Sequence, residues 1–183
     1  MQAIGSRICN YSAGSLTTLT TARHDHLPTM SRALPSADIV EIVRHIPHRF
    51  PFLLIDRMEA CEPHQWVRVL KNVSHGEVGG HGLAAGPGRF PQLLLVEALA
   101  QAAGTLCHFS GMMSTPRRSI MFFAGIDNCR FSGDAVAGDQ VILECVLRRA
   151  LRGVVKLHGK ATVEGRILVE ADLTAVIRDV EAA

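Results

Sequence analysis

The sequence predicts an α+β fold in which an antiparallel β-sheet wraps around one long, buried central helix. Three observations support this prediction: one long helical segment that is apolar on nearly every side, a run of strand-like segments after it, and a short helix before it. The chain has 183 residues, of which 48% are hydrophobic and 20% are charged. That is enough for one well-filled core and too little for two substantial domains.

Residues 1–34 differ in character from the rest of the chain. They are rich in Ser, Thr and Arg, and Asp25 is their only acidic residue. Two interpretations remain open: an organellar transit peptide, or a misassigned start codon, since Met30 would begin a complete domain. Neither gives the segment a place in the fold, so we expect a disordered N-terminal extension over 1–34 and a folded domain over 35–180.

The elements before the long helix are short. Ser36 can cap a first helix that ends before Pro47. The apolar run 52–55 and the largely alternating segment 66–73 predict two strands joined by a turn. Residues 76–91 are rich in glycine and lack a regular pattern, which indicates a loop.

The long helix is predicted from Leu93 to about Phe109, because this segment consists mostly of strong helix formers. Only Glu97 and Gln101 interrupt its apolar surface, and their spacing of four places both on one face. Four strands with turn signals between them are predicted to follow, at 119–131, 140–151, 154–163 and 166–177.

Composition excludes several classes of function. The net charge of +2 comes from scattered basic residues, so no nucleic-acid or anionic-membrane partner is expected. The longest apolar stretch, 93–106, is shorter than a membrane-spanning helix requires. Five widely separated cysteines without a Cys-x-x-Cys pair indicate reduced thiols. We therefore predict a soluble cytoplasmic protein, with the organellar matrix as the alternative if residues 1–34 are a transit peptide.

No metal site is expected either. His24 with His26, and His45 with His48, have spacings that a metal could use. Neither pair has cysteine or carboxylate partners nearby in a convincing array. The prediction is therefore a protein without a metal.

Four stretches, taken in order, carry a resemblance to a known family. They are 48–57 (HRFPFLLIDR), 71–74 (KNVS), 97–104 (EALAQAAG) and 122–127 (FFAGID) running on to 138–140 (GDQ). Together they resemble the FabZ-type 3-hydroxyacyl-ACP dehydratases over about residues 37–178. The resemblance implies a hotdog fold, a homodimer or a trimer of dimers, and an acyl carrier protein partner whose phosphopantetheine arm carries the acyl chain. It also implies dehydration of (3R)-3-hydroxyacyl-ACP to trans-2-enoyl-ACP in type II fatty-acid biosynthesis, without metal or organic cofactor.

The family's site combines a histidine from a Gly-His-Phe-Pro-Gly loop with a glutamate on the central helix of the opposite subunit. Glu97 matches that glutamate, and a carboxyl among apolar neighbours is costly to ionise unless it is paired. Gln101, one turn further on, is expected to support it by hydrogen bonding. Phe122 and Phe123 are expected to fill the core or to line the tunnel that holds the acyl chain.

The other half of the site departs from the family. The position expected for the histidine is Leu83, and a leucine cannot accept a proton. His81 lies two places earlier and is the candidate base, with His75 as a weaker substitute. Gln92 stands where the family has a glycine whose backbone N–H polarises the thioester carbonyl, and Gln keeps that N–H.

Three explanations of this departure stay open. His81 can replace the missing base, the domain can bind acyl thioesters without catalysis, or two compensating frameshifts can have altered the reported residues between 76 and 89. The leading hypothesis is a dehydratase. The alternatives are a non-catalytic protein that binds acyl-ACP or acyl thioesters and, less favoured, a hotdog thioesterase.

Overall fold

The structure is a computed structural model that describes residues 36–79, 88–113 and 119–179. In chain order, the helices are α1 (Ile39–His45), α2 (His75–Gly79) and α3 (Gln92–Phe109). The strands are β1 (Arg57–Glu62), β2 (Trp66–Asn72), β3 (Arg89–Phe90), β4 (Ser119–Phe131), β5 (Ala135–Val136), β6 (Gln140–Leu151), β7 (Val154–Val163) and β8 (Arg166–Asp179).

Six strands form one antiparallel sheet in the order β1-β2-β6-β7-β8-β4. Helix α3 packs against β2, β6, β7 and β8, so the core lies between this helix and one face of the sheet. A smaller two-stranded sheet pairs β3 with β5. The predicted α+β architecture, a sheet around one long buried helix, is confirmed.

Helix α3 and strand β7 approach each other closely within the core. Leu99 has no exposed surface, and a Cβ added to Gly159 would lie 3.3 Å from both of its methyl groups. The absence of a side chain at Gly159 therefore lets the strand approach the helix closely. The Cys145 thiol donates to the backbone carbonyl of Leu99 at 3.3 Å, which ties β6 to the same turn of the helix.

The long elements were predicted closely from sequence. The strands β4, β6 and β7 have the predicted bounds, β8 continues two residues further to Asp179, and α3 begins one residue earlier at Gln92. Each of these segments is long enough to show its period clearly. The predicted extension 1–34 lies outside the described residues and stays a prediction.

The predicted cap of α1 was wrong. Asp38, not Ser36, is the N-cap, and its carboxylate accepts from the backbone N–H of Glu41 at 3.0 Å. The reason is the preceding residue: the N–H and C=O of Ala37 both hydrogen-bond to Met58 at 2.9 Å. Because this bridge keeps Ala37 extended, the helix starts only after it.

The strand predicted at 52–55 was also wrong, because β1 begins later, at Arg57. The backbone N–H of Leu54 and the carbonyl of Phe52 hydrogen-bond to the side chain of Gln101, not to a neighbouring strand. Backbone groups that already have partners in a side chain have no need of a strand ladder.

The loop predicted over 76–91 contains two short elements, α2 and β3. Ser74 and Glu77 stabilise the start of α2, since the Glu77 carboxylate accepts from the backbone N–H and the hydroxyl of Ser74, both at 2.8 Å. Elements of five and two residues are too short to show a period, so the pattern could not reveal them.

Two turn glycines provide a matched test of this fold. Gly153, between β6 and β7, has φ +79°, and Gly165, between β7 and β8, has φ +78°. A Cβ at Gly153 would lie 2.8 Å from the carbonyl oxygen of Ile177, whereas a Cβ at Gly165 would meet nothing within 4 Å. We expect Gly165→Ala to lower the free energy of unfolding by about 1–2 kcal/mol, the cost of a left-handed conformation for a residue with a side chain. Gly153→Ala should lose about 1–3 kcal/mol more because of the clash.

Urea unfolding of the two variants measures this difference directly. Equal losses in the two variants would show that the β6–β7 turn relaxes without cost and would contradict the prediction.

Within the described ranges, no helix has both the length and the hydropathy that crossing a bilayer requires.

Candidate active site

A pocket of about 370 Å³ lies beside α3, between the turn that follows α1 and the edge strand β4. Most of its lining is apolar: Ile46, Pro47, Ala100, Gly104, Met113, Ile120, Met121 and Phe123. The polar lining residues are His45, His48, Glu97, Gln101 and Ser119. The pocket therefore combines a wall suited to a hydrocarbon chain with a few groups that can exchange protons or hydrogen-bond.

Glu97 lies on the first half of α3, and 28% of its side chain is exposed. Gln101 follows one helical turn later and is almost completely buried. The Gln101 amide nitrogen donates to Glu97 Oε1 at 2.9 Å and to the carbonyl of Phe52 at 2.8 Å, and the amide oxygen accepts from the N–H of Leu54 at 2.9 Å. Gln101 thus links the catalytic candidate to the turn 49–54.

The Gln101 network also fixes the direction of each hydrogen bond. The backbone N–H of Leu54 can only donate, so the amide oxygen of Gln101 must face it. The amide N–H groups must then face Phe52 and Glu97, and Glu97 Oε1 is therefore an acceptor. Gln101 and Glu97 are therefore joined by a hydrogen bond one helical turn apart, while their roles at the site stay predictions.

His48 is the site residue whose closeness to Glu97 sequence reasoning missed. Its Nε2 lies 3.4 Å from Glu97 Oε1, and the side chain is 33% exposed. Its Nδ1 is buried and has no hydrogen-bond partner among the described residues. The motif 48–57 indicated packing and hydrogen bonding for this residue, but no spacing in the sequence relates residue 48 to residue 97.

The remaining candidate binding residues differ in position. Phe123 lines the pocket, while Phe122 is not among the lining residues and is 54% exposed on β4. The Gln92 side chain points to another loop: its amide donates to the carbonyl of Gly133 at 2.9 Å and to Asp134 Oδ1 at 3.0 Å. Gln92 is the first residue of α3, so its backbone N–H belongs to the first turn of that helix.

His81 and Leu83 lie outside the described residues. His75, the weaker substitute, is exposed at the start of α2. The segment that leads to His81 is anchored by an ion pair between Lys71 and Glu77, in which the lysine is 3% exposed. Burial alone would raise the pKa of Glu77, but hydrogen bonds from Lys71 and Ser74 outweigh it and hold that pKa below its ordinary value.

Two cysteines, Cys61 and Cys107, carry buried thiols. Burial raises the pKa of Cys107, on α3, to about 12, and does the same for Cys61. These thiols are therefore protonated near neutral pH and are poor nucleophiles. No group of three or more His, Cys, Asp or Glu side chains in residues 36–79, 88–113 and 119–179 is arranged to hold a metal ion.

Solved structures define the class of fold. The chain superposes on the dehydratase heterocomplex ApeI:P from Xenorhabdus doucetiae with a TM-score of 0.63 and 18% identity, covering 74% of this chain and 89% of that one. It superposes on a hot-dog-like protein from Thermanaerovibrio acidaminovorans with a TM-score of 0.53 and 17% identity, covering 66% and 85%. The fold is a hotdog fold.

Sequence relatives define the family. The 3-hydroxyacyl-(acyl-carrier-protein) dehydratase FabZ of Thiobacillus denitrificans is 38% identical over 142 residues, which are 78% of this chain and 98% of the relative. The protein of the same name from Burkholderia mallei is 37% identical over 154 residues, covering 84% and 99%. The model of the FabA-like domain matches residues 46–172. The chain belongs to the FabA-like family and, within it, is of the FabZ type.

Proposed function

We propose that the protein removes water from (3R)-3-hydroxyacyl chains carried on acyl carrier protein and releases trans-2-enoyl-ACP, a step of type II fatty-acid biosynthesis. The observation that carries this proposal is the position of Glu97, a half-buried carboxyl at an apolar pocket with one oxygen held by Gln101. The FabZ relatives are named for this reaction.

The reaction needs two proton transfers on neighbouring carbons. A base takes the proton from the α-carbon, the electrons of that C–H bond form the C=C bond, and the bond from the β-carbon to its hydroxyl breaks. The hydroxyl takes a proton from the Glu97 carboxyl and leaves as water, and the two groups recover their protonation states by exchange with solvent. His81 is the proposed base, and the backbone N–H at Gln92 is the proposed donor to the thioester oxygen.

The apolar wall of the pocket suits the acyl part of this substrate. Gly104 follows Glu97 and Gln101 along the same face of α3, and a Cβ added to it would lie 3.4 Å from the Met121 methyl group on β4 and 3.9 Å from a methyl group of Ile46. An extended hydrocarbon placed there would have its reacting carbons near Glu97. The phosphopantetheine arm of the carrier protein would bring the thioester to the entrance.

We also propose that two copies of the chain pair along β4. This strand is an edge of the six-stranded sheet and exposes five large apolar side chains: Ile120, Phe122, Phe123, Ile126 and Phe131. A long apolar edge is a liability when it stays uncovered. A second β4 related by a twofold axis would cover it with an identical surface, and Phe123 would bring the pocket close to the interface. A trimer of such dimers remains the alternative assembly.

Phe122→Arg should convert this dimer to a monomer, because it places a charge in the middle of the proposed interface. Light scattering after size-exclusion chromatography would show a halved mass. Leu151→Arg is the matched control, since Leu151 is similarly exposed but lies at the end of β6. Loss of the dimer in the control alone, or its survival in Phe122→Arg, would contradict the proposed interface.

A second candidate function, binding of acyl-ACP without catalysis, is favoured by one observation: Leu83 stands at the position where the family has its catalytic histidine. In that case the protein would hold acyl thioesters or would pair with another dehydratase subunit. One of the structural neighbours is, by its name, a dehydratase heterocomplex, which is an assembly of two different subunits.

The full-length protein, incubated with crotonyl-ACP and with 3-hydroxybutyryl-ACP, separates these functions. Interconversion of the two substrates supports the dehydratase. Binding without turnover supports the non-catalytic protein, and release of free carrier thiol would indicate a thioesterase. If turnover survives His81→Ala unchanged, His81 is not the base. The cytoplasmic location stays a prediction, as does the organellar alternative.

A further inference from the structure

We infer that His48 is a positioning residue for Glu97: its neutral imidazole donates Nε2–H to Glu97 Oε1, so that Oε2 is the oxygen that gives its proton to the substrate. This role rests on the proposed dehydration, because it concerns the same carboxyl group. His48 lines the pocket but takes no part in the two proposed proton transfers, so its presence there needs another explanation.

The side chain of Arg49 hydrogen-bonds to the turn that carries His48. Arg49 donates from its guanidinium to the carbonyls of Val43, Ile46 and His48, at 2.8, 2.9 and 2.7 Å. These bonds satisfy carbonyls at and beyond the C-terminal end of α1, and they fix the chain where it leaves the helix. The carbonyl of Arg49 accepts from the N–H of Phe52 at 2.8 Å, which closes the turn that Gln101 holds from the other side.

His48 and Gln101 approach the same oxygen of Glu97. Gln101 donates to Oε1 at 2.9 Å, and His48 Nε2 lies 3.4 Å from that atom. Oε1 accepts the Gln101 amide N–H, and the inferred hydrogen bond from His48 would give the same oxygen a second donor. A proton on Oε1 would compete with these donors, so we place the acid proton of Glu97 on Oε2, which makes none of the hydrogen bonds that the structure describes. A departing hydroxyl would take the proton from this oxygen.

The buried Nδ1 of His48 has no hydrogen-bond acceptor among the described residues, which favours the tautomer with hydrogen on Nε2. A charged imidazolium carries N–H on both nitrogens, and its Nδ1–H would be buried without an acceptor among the described residues. The tautomer with hydrogen on Nε2 avoids this cost and directs the N–H at Glu97.

The distance of 3.4 Å is slightly longer than an ordinary N–H···O hydrogen bond. Hydrogen bonds of catalytic groups are often long without substrate and shorten in the substrate complex. Binding of the acyl chain against Glu97 would close this gap by a small movement of the carboxyl group.

The test compares two amides at position 48 in the full-length protein. The amide of His48→Gln can reach the position of Nε2, while the amide of His48→Asn ends near Nδ1 and cannot reach Glu97. With 3-hydroxybutyryl-ACP, we expect His48→Asn to lower kcat by about 10- to 100-fold with KM within about twofold, since a misplaced reacting group costs rate and not binding. His48→Gln should stay within about threefold of the unmodified protein.

His64→Asn, in the exposed turn between β1 and β2, is the control for histidine replacement. If His48→Gln is as slow as His48→Asn, His48 carries a proton itself, and if His48→Asn is as fast as the unmodified protein, it has no role. Either result overturns the inference. If His48→Asn does not fold, His48→Gln decides alone, and a loss of kcat beyond about tenfold overturns it. An unmodified protein without turnover would instead overturn the proposed function, and this role with it.

Discussion

Glu97→Gln is expected to slow the dehydration of 3-hydroxybutyryl-ACP by about 10²- to 10⁴-fold, the usual contribution of a positioned acid or base. The amide cannot give a proton to the departing hydroxyl, but its oxygen can still accept from the Gln101 amide where Glu97 Oε1 accepts now. The fold should therefore persist, and the loss should appear in kcat. Following the absorbance of the enoyl thioester, with a thermal melt of each sample, measures both.

The control for this prediction is Glu59→Gln. Glu59 is an exposed residue of β1 that pairs with Arg68 at 2.9 Å, outside the pocket lining. An exposed ion pair contributes at most about 1 kcal/mol to stability, so this variant should keep its rate. A Glu97→Gln enzyme that works within tenfold of the unmodified rate would rule out Glu97 as the acid.

Leu99→Ala is expected to lower the free energy of unfolding by about 2–5 kcal/mol, the range for truncating a buried leucine. Leu99 has no exposed surface and packs on Gly159, which has no side chain to move into the space. The cavity should therefore collapse poorly. Leu93→Ala on the same helix is the matched control, because Leu93 is 74% exposed. Its truncation should change the free energy of unfolding by less than about 0.5 kcal/mol.

A double variant tests whether the contact with Gly159 causes the loss. The Cβ of Gly159→Ala would sit 3.3 Å from the Leu99 methyl groups, so this change alone should destabilise the protein. In the Leu99→Ala background the same methyl group would partly fill the cavity. We expect the two changes to be non-additive, with the double variant more stable than the sum of the single losses implies. Additive losses in urea unfolding would show that the two residues do not share a packing contact.

The hydrophobic pattern was sufficient wherever an element was long. Helix α3 and the strands β4, β6, β7 and β8 were predicted within two residues, because period and turn signals accumulate over ten or more positions. The pattern failed at short elements whose partners are remote. Residues 52–55 have the pattern of a strand. The backbone groups of Phe52 and Leu54 nevertheless hydrogen-bond to the side chain of Gln101, 47 to 49 positions away.

The candidate site divides in the same way. Glu97 and Gln101 could be paired from sequence, because four residues along a helix return to the same face whatever surrounds it. Both residues also belong to the motif 97–104, one of the four stretches that indicated the family. His48 could not be added, because its 3.4 Å approach to Glu97 depends on how the turn after α1 folds against the middle of α3.

By itself, therefore, the sequence determined the class of fold, the buried helix and the residue that we propose as the acid, since each depends on local periodicity or on a continuous motif. Only the tertiary structure decided which oxygen of Glu97 is held, which histidine lies beside it and which strand leaves an apolar edge exposed. The physical reason is that hydrogen bonds and burial act between residues that are close in space, and separation along the chain does not determine which residues those are.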